Sequence, residues 1–265
     1  MSVELSTEAM KRLRQLHPDG KGIFTSDLSV NEFLLVRQAG FRPLGLVLGV
    51  SIYHVGTQFR RWYANQELDV LSQAMYRARE LAMTRMQAEA EVLGADGIVG
   101  VRLKVELKEW GTHVAEFSAI GTAVKAEDGG NWRNHAGKPF TSDLSGQDFW
   151  TLLQAGYAPS GMVMGTCVYH VAHQNLGAVV KNLGRNAELP AFTQGLYTAR
   201  ELAMERMQAE AAALKAEGIV GVQLLQHNHS WSGHVTEFFA LGTAVRPIRD
   251  DHTIPTPQLV LGLDS

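Results

Sequence analysis

The sequence predicts an α+β fold of two homologous units, each a small, mainly antiparallel sheet with a long helix packed on one face. Three observations carry this prediction. Long segments of the 265-residue chain occur twice. Each copy shows helical and strand periodicity in the same order, α-β-α-β-β. The long helical stripe of each copy is rich in alanine, which lets a helix lie close against a sheet.

The duplication is clearest in two pairs of segments. FTSDLSVNEFLL begins at residue 24 and FTSDLSGQDFWT at residue 140, an offset of 116. ARELAMTRMQAEA begins at residue 78 and ARELAMERMQAEA at residue 199, an offset of 121. The second copy therefore carries a five-residue insertion between the two segments. Residues at matching positions are called counterparts.

The repeats divide the chain into five predicted regions. They are an N-terminal helical extension (1–22), a first unit (23–126), a linker (127–138), a second unit (139–246) and a Pro-rich tail (247–265). The linker is rich in Gly, Asn and charge, as expected of a connection between units.

Each unit begins with a short helix and continues into a strand. The capping-box pattern of Ser29–Glu32, and its variant in Ser145–Asp148, begins the helix. A glycine follows where a left-handed cap is wanted, at Gly40 and its counterpart. The apolar runs at 44–55 and 160–171 then predict a strand. Two glycines within each run indicate a bend, a bulge or a close backbone approach.

A long helix and two strands complete each unit. In the first unit the helix is predicted at about 69–93, and Gly94 and Gly97 are expected to end it. Lys215 replaces the first of these glycines in the second unit, so we expect Gly218 alone to keep that role there. The closing strands are predicted at the following residues: 97–108, 112–125, 218–229 and 233–245.

Composition excludes several classes of protein. The net charge of −3 gives no argument for nucleic acid. No apolar run approaches the roughly 18 residues needed to cross a bilayer, and the N-terminus lacks the apolar core of a signal peptide. Cys167 is the sole cysteine, so no intrachain disulfide can form. We therefore expect a cytoplasmic protein that neither binds nucleic acid nor inserts into membranes.

A set of short motifs occurs in the same order in both units. The first unit has GLVLG at 45–49, ARE at 78–80, GADGIVG at 94–100 and GTAV at 121–124. The second has GMVMG at 161–165, ARE at 199–201, GIVG at 218–221 and GTAV at 242–245. These residues resemble the YbjQ-type family, which is labelled heavy-metal-binding.

The resemblance implies a compact α+β unit that forms rings, typically pentamers, and no settled activity. Family members usually carry one such unit, so the tandem form departs from the pattern. Two units in one chain would supply either two stacked rings or alternate positions within one ring.

Histidines are the candidate metal ligands, and a divalent, zinc-like ion is the candidate cofactor. His54 and His170 occur in both copies, where a structural role is the stronger alternative. His227 and His229 share a strand face, and His234 follows after a short turn. These three would supply a three-ligand site in the second unit. A solvated hairpin is the competing interpretation. Cys167, close to His170 in the sequence, is better explained as a small buried thiol.

Other repeated residues are candidate contacts between subunits. Aromatic side chains in this group are Trp110, Trp231, Tyr53 and Tyr169, and charged ones are Arg79, Glu80, Arg200 and Glu201. The charged pairs lie on the long helices and would pair between subunits of a ring, or simply face solvent.

The tail ends in an apolar segment, Leu259–Leu263, behind three prolines that favour an extended chain. It predicts a peptide that docks on a protein partner, and it resembles the short apolar tails that load cargo into protein shells. A frayed terminus, or a strand exchanged onto a neighbour, is the alternative.

No P-loop, dinucleotide fingerprint, nucleophile elbow or HExxH motif is present. The preferred prediction is thus a non-catalytic, ring-forming assembly or binding protein. A protein that binds divalent or heavy metal is the alternative, and an enzyme acting at a ring interface is a third hypothesis.

Overall fold

A computed structural model describes residues 5–16, 23–54, 64–107, 114–171, 188–228 and 235–252 of the chain. It confirms two α+β units. The helices are α1 (Thr7–Leu16), α2 (Val30–Gln38), α3 (Asp69–Val92), α4 (Gly146–Gln154) and α5 (Pro190–Ala213). The strands are β1 (Phe41–His54), β2 (Gln66–Glu67), β3 (Gly97–Leu107), β4 (Val114–Ala126), β5 (Phe140–Thr141), β6 (Tyr157–His170), β7 (Gly218–Asn228) and β8 (Val235–Pro247).

Two four-stranded sheets organise the chain, with strand orders β1-β4-β3-β5 and β2-β6-β8-β7. The three long strands of each sheet are antiparallel, as predicted. The short strands are exchanged between the units. β2 follows β1 in the chain but pairs with β6 of the second unit, whereas β5 opens the second unit but pairs in parallel with β3 of the first. Each sheet is therefore completed by the other half of the chain.

The predicted caps of the short helices are present. The Ser29 side chain accepts a hydrogen bond from the Glu32 N–H, and the Glu32 carboxylate accepts one from the Ser29 N–H, which completes the capping box. After the helices, Gly40 and Gly156 have φ of +83° and +85°, the left-handed conformation that favours glycine.

The glycines within the first long strands permit a close helix-to-strand approach. A Cβ atom on Gly49 would lie 1.9 Å from the carbonyl oxygen of Ala82 on α3, and one on Gly165 would lie 2.0 Å from that of Ala203 on α5. Any side chain here would force the long helix off its sheet. A register shift between Pro43 and Gly45 also adds a bulge to β1.

The prediction that Gly97 and Gly218 end the long helices is wrong, because each is the first residue of the strand that follows. Helix α5 ends at Ala213, and Lys215 itself adopts a left-handed conformation with φ of +54°. Its counterpart Gly94 has φ of +69°. The local fold is thus kept in both units, and the second unit keeps it with a lysine at a position where glycine has no steric cost.

Helix α3 lies between the two sheets. Its inner face packs on β1, and the same apolar core includes Met164, Val168 and Phe239 of the second unit. Helix α5 packs on β6 in a separate core, and a third core joins α2 and α4 on the other side of the sheets. The two units therefore share buried surface. Among the described residues, none of the helices is long and apolar enough to span a membrane.

Candidate functional site at the junction between the two units

Arg79 on α3 is the central residue of the junction, because its side chain is buried against the second sheet. The guanidinium Nη1 donates to Glu237 Oε1 at 2.7 Å and to Thr166 Oγ1 at 2.9 Å. Only 1% of either charged side chain is exposed. The guanidinium also lies 4.0 Å from the ring centroid of Phe239. The first unit thus places the positively charged Arg79 side chain against hydrogen-bond acceptors of the second unit.

This buried pair makes the contact between units specific. Removing two charges from water costs several kcal/mol, and only good geometry offsets that cost. The Nε and Nη2 atoms of Arg79 have no hydrogen-bond partner among the described residues. The face of Phe239 instead provides a cation–π contact. Losing either charged partner would leave the other buried without its counter-charge.

Glu67 forms a second contact across the junction. It lies on β2, which pairs with the end of β6, and its two carboxylate oxygens accept from Arg206 Nη1 and Nη2 of α5 at 2.6 and 2.9 Å. Arg206 Nη1 also donates to the Thr166 carbonyl at 2.6 Å. A bidentate carboxylate–guanidinium pair fixes both distance and orientation.

A cleft between α3 and α5 opens beside these contacts. Its lining includes Tyr76 and Glu80 from α3, and Arg206 and Glu210 from α5. The Tyr76 hydroxyl donates to Glu210, which also accepts from the Met164 N–H at 2.7 Å. Burial raises the pKa of Glu210 above its usual range, and these hydrogen bonds offset part of that effect.

The second unit carries an exposed copy of the surface that the first unit buries. Leu68, at the start of α3, is 2% exposed, whereas its counterpart Leu189, before α5, is 38% exposed. Arg79 is buried, whereas 40% of the Arg200 side chain is exposed. In the described chain Arg200 stacks on Tyr197 and pairs with Glu201 at 2.9 Å.

The first unit likewise carries an exposed copy of the acceptor. Val168 on β6 is 2% exposed beneath α3, whereas its counterpart Ile52 on β1 is 56% exposed. Met164 is 6% exposed and its counterpart Leu48 is 41% exposed. A single chain therefore exposes two complementary surfaces. The donor surface is the helix side of the second unit, with Leu189, Tyr197 and Arg200, and the acceptor surface is the sheet side of the first unit, with Leu48 and Ile52.

The predicted metal ligands do not form a cluster in the described part of the chain. His170 is buried, and its Nδ1–H donates to the Ala64 carbonyl at 3.2 Å. His54 lies exposed at the end of β1. His227 Nδ1 lies 3.8 Å from Glu237 Oε2, but Arg79 already holds that carboxylate.

No group of three or more His, Cys, Asp or Glu able to hold a metal occurs among the described residues. His229 and His234 lie outside them, so the three-histidine site stays a prediction. Trp110 and Trp231 also lie outside the described residues, as does the tail segment Leu259–Leu263.

The other candidate interface residues are divided between core and surface. Tyr169 is buried in the core of the second unit, and Tyr53 is half-buried against the core that α3 shares. Glu80 lines the cleft, and Glu201 is exposed. As contacts between subunits, all these residues stay predictions.

Cys167 is free and buried, which confirms the interpretation of this residue as a small buried thiol. Burial raises the pKa of its thiol to about 12, and the nearby Glu67 carboxylate acts in the same direction. A thiol with this pKa is protonated at neutral pH and does not act as a nucleophile.

Sequence reasoning missed Glu67, Thr166 and Arg206 as parts of the junction. Arg206 and Glu67 each have a counterpart of the same type, Arg85 and Glu188. That repetition was the available signal, but it does not reveal that the two residues meet across units.

Comparison with known proteins reveals relatives of the whole chain and of single units. The chain is 53% identical over 243 residues to "Encapsulin nanocompartment protein Rv1762c" of Mycobacterium tuberculosis, covering 91% of this chain and 92% of the relative. It is 43% identical over 88 residues to a "UPF0145 protein" of Halorubrum lacusprofundi, covering 31% of this chain and 82% of that relative. A "UPF0145 protein" of Pseudothermotoga lettingae is 39% identical over 87 residues, with 31% and 80% covered. The full-length relative therefore shares the tandem form, and the shorter ones correspond to about one unit.

Neither the name of the full-length relative nor the description of the family model mentions a catalytic activity. The matching family model, YbjQ_1, is described as "Putative heavy-metal-binding" and covers residues 47–127 and 157–247, one segment in each unit. The chain is therefore a member of the YbjQ_1 family, in which it represents a tandem duplication of the family's unit.

Proposed function

We propose that the protein is a non-catalytic assembly protein whose copies join head to tail into a closed ring. The junction inside one chain would be repeated between chains. Helix α5 of one copy would lie on β1 and β4 of the next, as α3 lies on β6 and β8. A pentamer, favoured by the resemblance, would then contain ten units.

The observation that supports this proposal is that a single chain exposes both the donor surface and the acceptor surface. Leu189, Tyr197 and Arg200 are exposed at the donor end, and Leu48 and Ile52 at the acceptor end. Their counterparts inside the chain are buried or half-buried at the junction. A donor and an acceptor on different surfaces make a heterologous contact, which closes into a ring when the rotation permits.

One ion pair gives this contact a specific register. Glu188 is the counterpart of Glu67, and Arg85 is the counterpart of Arg206. Arg85 already donates to the Val50 carbonyl, as Arg206 donates to the Thr166 carbonyl. Neither Glu188 nor Arg85 forms a salt bridge within the described residues. Glu188 of one copy would pair with Arg85 of the next.

One part of the intermolecular junction would differ from the internal one. Glu210 accepts from the Tyr76 hydroxyl, whereas its counterpart Glu89 accepts from Arg12 of α1 at 2.5 Å. Arg12 also donates to the Leu46 carbonyl at 2.6 Å. Tyr197 of the neighbouring copy would therefore meet an arginine where Tyr76 meets a carboxylate, and the two aromatic contacts would differ in chemistry.

Native mass spectrometry and light scattering test the assembly directly. We expect a single closed species at micromolar concentration, and a stable monomer would contradict the proposal. Glu188→Lys and Arg85→Glu should each weaken assembly, because each places like charges opposite one another. The double variant restores an opposite-charge pair and should recover assembly. Equal weakening in the double variant would show that these residues do not meet.

The name of the full-length relative supports a further step, that the ring serves a protein nanocompartment. The tail of this chain would then dock on a protein partner through Leu259–Leu263. The protein composition of the purified sample, together with electron microscopy of the ring, tests this for the chain with and without residues 253–265. Loss of a co-purifying partner on truncation, with the ring intact, is the expected result. Retention of the partner would contradict docking by the tail.

A metal-binding function is less well supported. His227 is the sole member of the three-histidine set within the described residues, and the carboxylate beside it is engaged by Arg79. The observations therefore favour assembly over metal chemistry.

A further inference from the structure

The way β5 completes the first sheet is the starting observation. Phe140 and Thr141 pair in parallel with Gly97 and Ile98 of β3. The N–H of Phe140 donates to the Asp96 carbonyl at 3.1 Å, and the N–H of Ser142 donates to the Ile98 carbonyl at 2.9 Å. The opening strand of the second unit thus covers the outer edge of the first sheet.

Phe140 is the anchor of this strand. Its ring is fully buried and lies directly over Gly97, where a Cβ atom would stand 2.1 Å from a ring carbon. On either side, the Gln87 amide donates to the Pro139 carbonyl at 3.2 Å and the Val101 N–H donates to the Ser142 carbonyl at 2.9 Å. The contact therefore has one aromatic anchor and flanking hydrogen bonds.

The first unit contains the matching segment, which forms no strand and pairs with no sheet edge among the described residues. Phe24 is the counterpart of Phe140, and its ring is 47% exposed. It stacks on Phe33 with centroids 5.7 Å apart, much as Phe140 stacks on Phe149 at 5.9 Å. The preceding residue, Ile23, is 88% exposed.

The segment around Phe24 is already held in the shape of its counterpart. Asp27 accepts from the Thr122 hydroxyl at 2.6 Å, and Asp143 accepts from the Thr243 hydroxyl at the same distance. Because its own unit fixes this backbone, docking would cost little conformational entropy.

The second unit has a matching open edge. β7 ends its sheet, and no strand of the described chain pairs with its outer side. Among the residues that the structure describes, a Cβ atom on Gly218, the counterpart of Gly97, would come within 4 Å of Val245 alone, at 3.8 Å. The groove beside it is lined by Gln208, Ile219 and Val222. Val222 is 43% exposed, whereas its counterpart Val101 is 2% exposed.

We infer that Phe24 and Thr25 of one copy add as a parallel strand to β7 of a second copy, with the Phe24 ring over Gly218. Gln208 would donate to the Ile23 carbonyl, and the N–H of Val222 to the Ser26 carbonyl. This inference rests on the proposed head-to-tail assembly and names a separate contact in it. Since the occupant is fixed by its internal counterpart, the partner is a second copy of this chain.

The decisive variant is Gly218→Ala. Within one chain the added methyl group has room, so we expect an unchanged circular dichroism spectrum and melting temperature for the separated chain. In the assembly the methyl group would occupy the position of the Phe24 aromatic ring. The protein concentration at which the assembly dissociates should therefore rise at least tenfold. Phe24→Ala should have a similar effect. Gly97→Ala is the matched control, because it places the same clash inside the chain and should lower the melting temperature itself.

A disulfide tests the register. Thr25→Cys and Ile219→Cys together should join chains on oxidation into species larger than one chain on non-reducing gels, because Thr141 faces Ile98 at the internal contact. Cys167 is buried and does not compete. Each single variant should stay uncrosslinked.

The outcomes separate the two proposals. A wild-type chain that stays monomeric would overturn both. A wild-type ring, with Gly218→Ala dissociating at the wild-type concentration and no interchain disulfide in the double variant, would overturn only the Phe24 contact.

Discussion

Arg79 of the first unit and Glu237 of the second form a salt bridge of 2.7 Å with 1% of each side chain exposed, across 158 residues of sequence. Both residues have counterparts, Arg200 and Glu116, so the chain contains a second copy of each partner. The pairing within one chain uses the arginine of the first unit and the carboxylate of the second.

The salt bridge predicts a large loss of stability when one partner is removed. Arg79→Ala should lower the free energy of unfolding by about 3–5 kcal/mol, because Glu237 is left buried without its counter-charge. Arg79→Met combined with Glu237→Leu should cost much less. Urea unfolding monitored by fluorescence measures both. A double variant as unstable as Arg79→Ala would contradict the argument.

Replacing Lys215 with glycine should stabilise the folded protein. Lys215→Gly should raise the free energy of unfolding by about 1 kcal/mol, since glycine adopts a positive φ without steric cost. Gly94→Ala at the counterpart position should lower it by a similar amount. Thermal unfolding of both variants checks the prediction, and a destabilised Lys215→Gly protein would show that the lysine side chain stabilises the helix end.

Glu210 predicts a dependence of stability on pH. Because burial raises its pKa in the folded state, the folded chain holds a proton in a window just above the ordinary carboxyl pKa of about 4.3, where the unfolded chain has lost it. Its contribution to stability is therefore greatest at low pH and falls as pH rises through the window.

The neutral variant Glu210→Gln should remove this part of the pH dependence. Its free energy of unfolding, relative to the wild type, should increase with pH across the window and level off above it. Urea titrations from pH 4 to 8 measure the difference. Burial also raises the pKa of Asp143, but that effect is common to both proteins and cancels. A constant difference would contradict the assignment.

The thiol of Cys167 should be unreactive in the folded protein. With a pKa of about 12 and a buried side chain, it should not react with an aromatic disulfide reagent at pH 8 in the folded protein. One equivalent should react after unfolding in urea, and Cys167→Ser should give none. Rapid labelling of the folded chain would show that this part of β6 opens in solution.

The predicted three-histidine site should bind a divalent metal ion with measurable affinity only if the side chains of His227, His229 and His234 meet. Zinc, nickel and copper titrations of the purified chain, with elemental analysis, test this. If a site exists, His227→Ala, His229→Ala and His234→Ala together should abolish it. Tight binding that survives the triple substitution would exclude these ligands.

Much of the fold could be predicted from local pattern. The sequence predicts the long helix at about 69–93, and it occupies 69–92; it predicts the following strand at 97–108, and this strand occupies 97–107. Helical and strand periodicities are local properties, so these elements follow from the amphipathic stripe and from the glycines that bound it.

The exchanged strands and the cross-unit ion pairs could not be predicted in this way. Two residues such as Gln66–Glu67 are too few to show a period, and their partner lies in the other unit. The left-handed backbone of Lys215 does not follow from its residue type, because the repeated fold imposes it. In a duplicated sequence, moreover, Arg79 has two candidate partners, Glu237 and its counterpart Glu116, and only the folded chain shows which is chosen.

The junction between the units also has a consequence for dilution. Because its two halves belong to one polypeptide, their effective concentration is fixed by the covalent connection and not by the amount of protein in solution. In the proposed ring, half of the unit-to-unit contacts would therefore persist at any dilution. Disassembly should stop at the intact two-unit chain, whereas an assembly of separate single units would have no such lower limit.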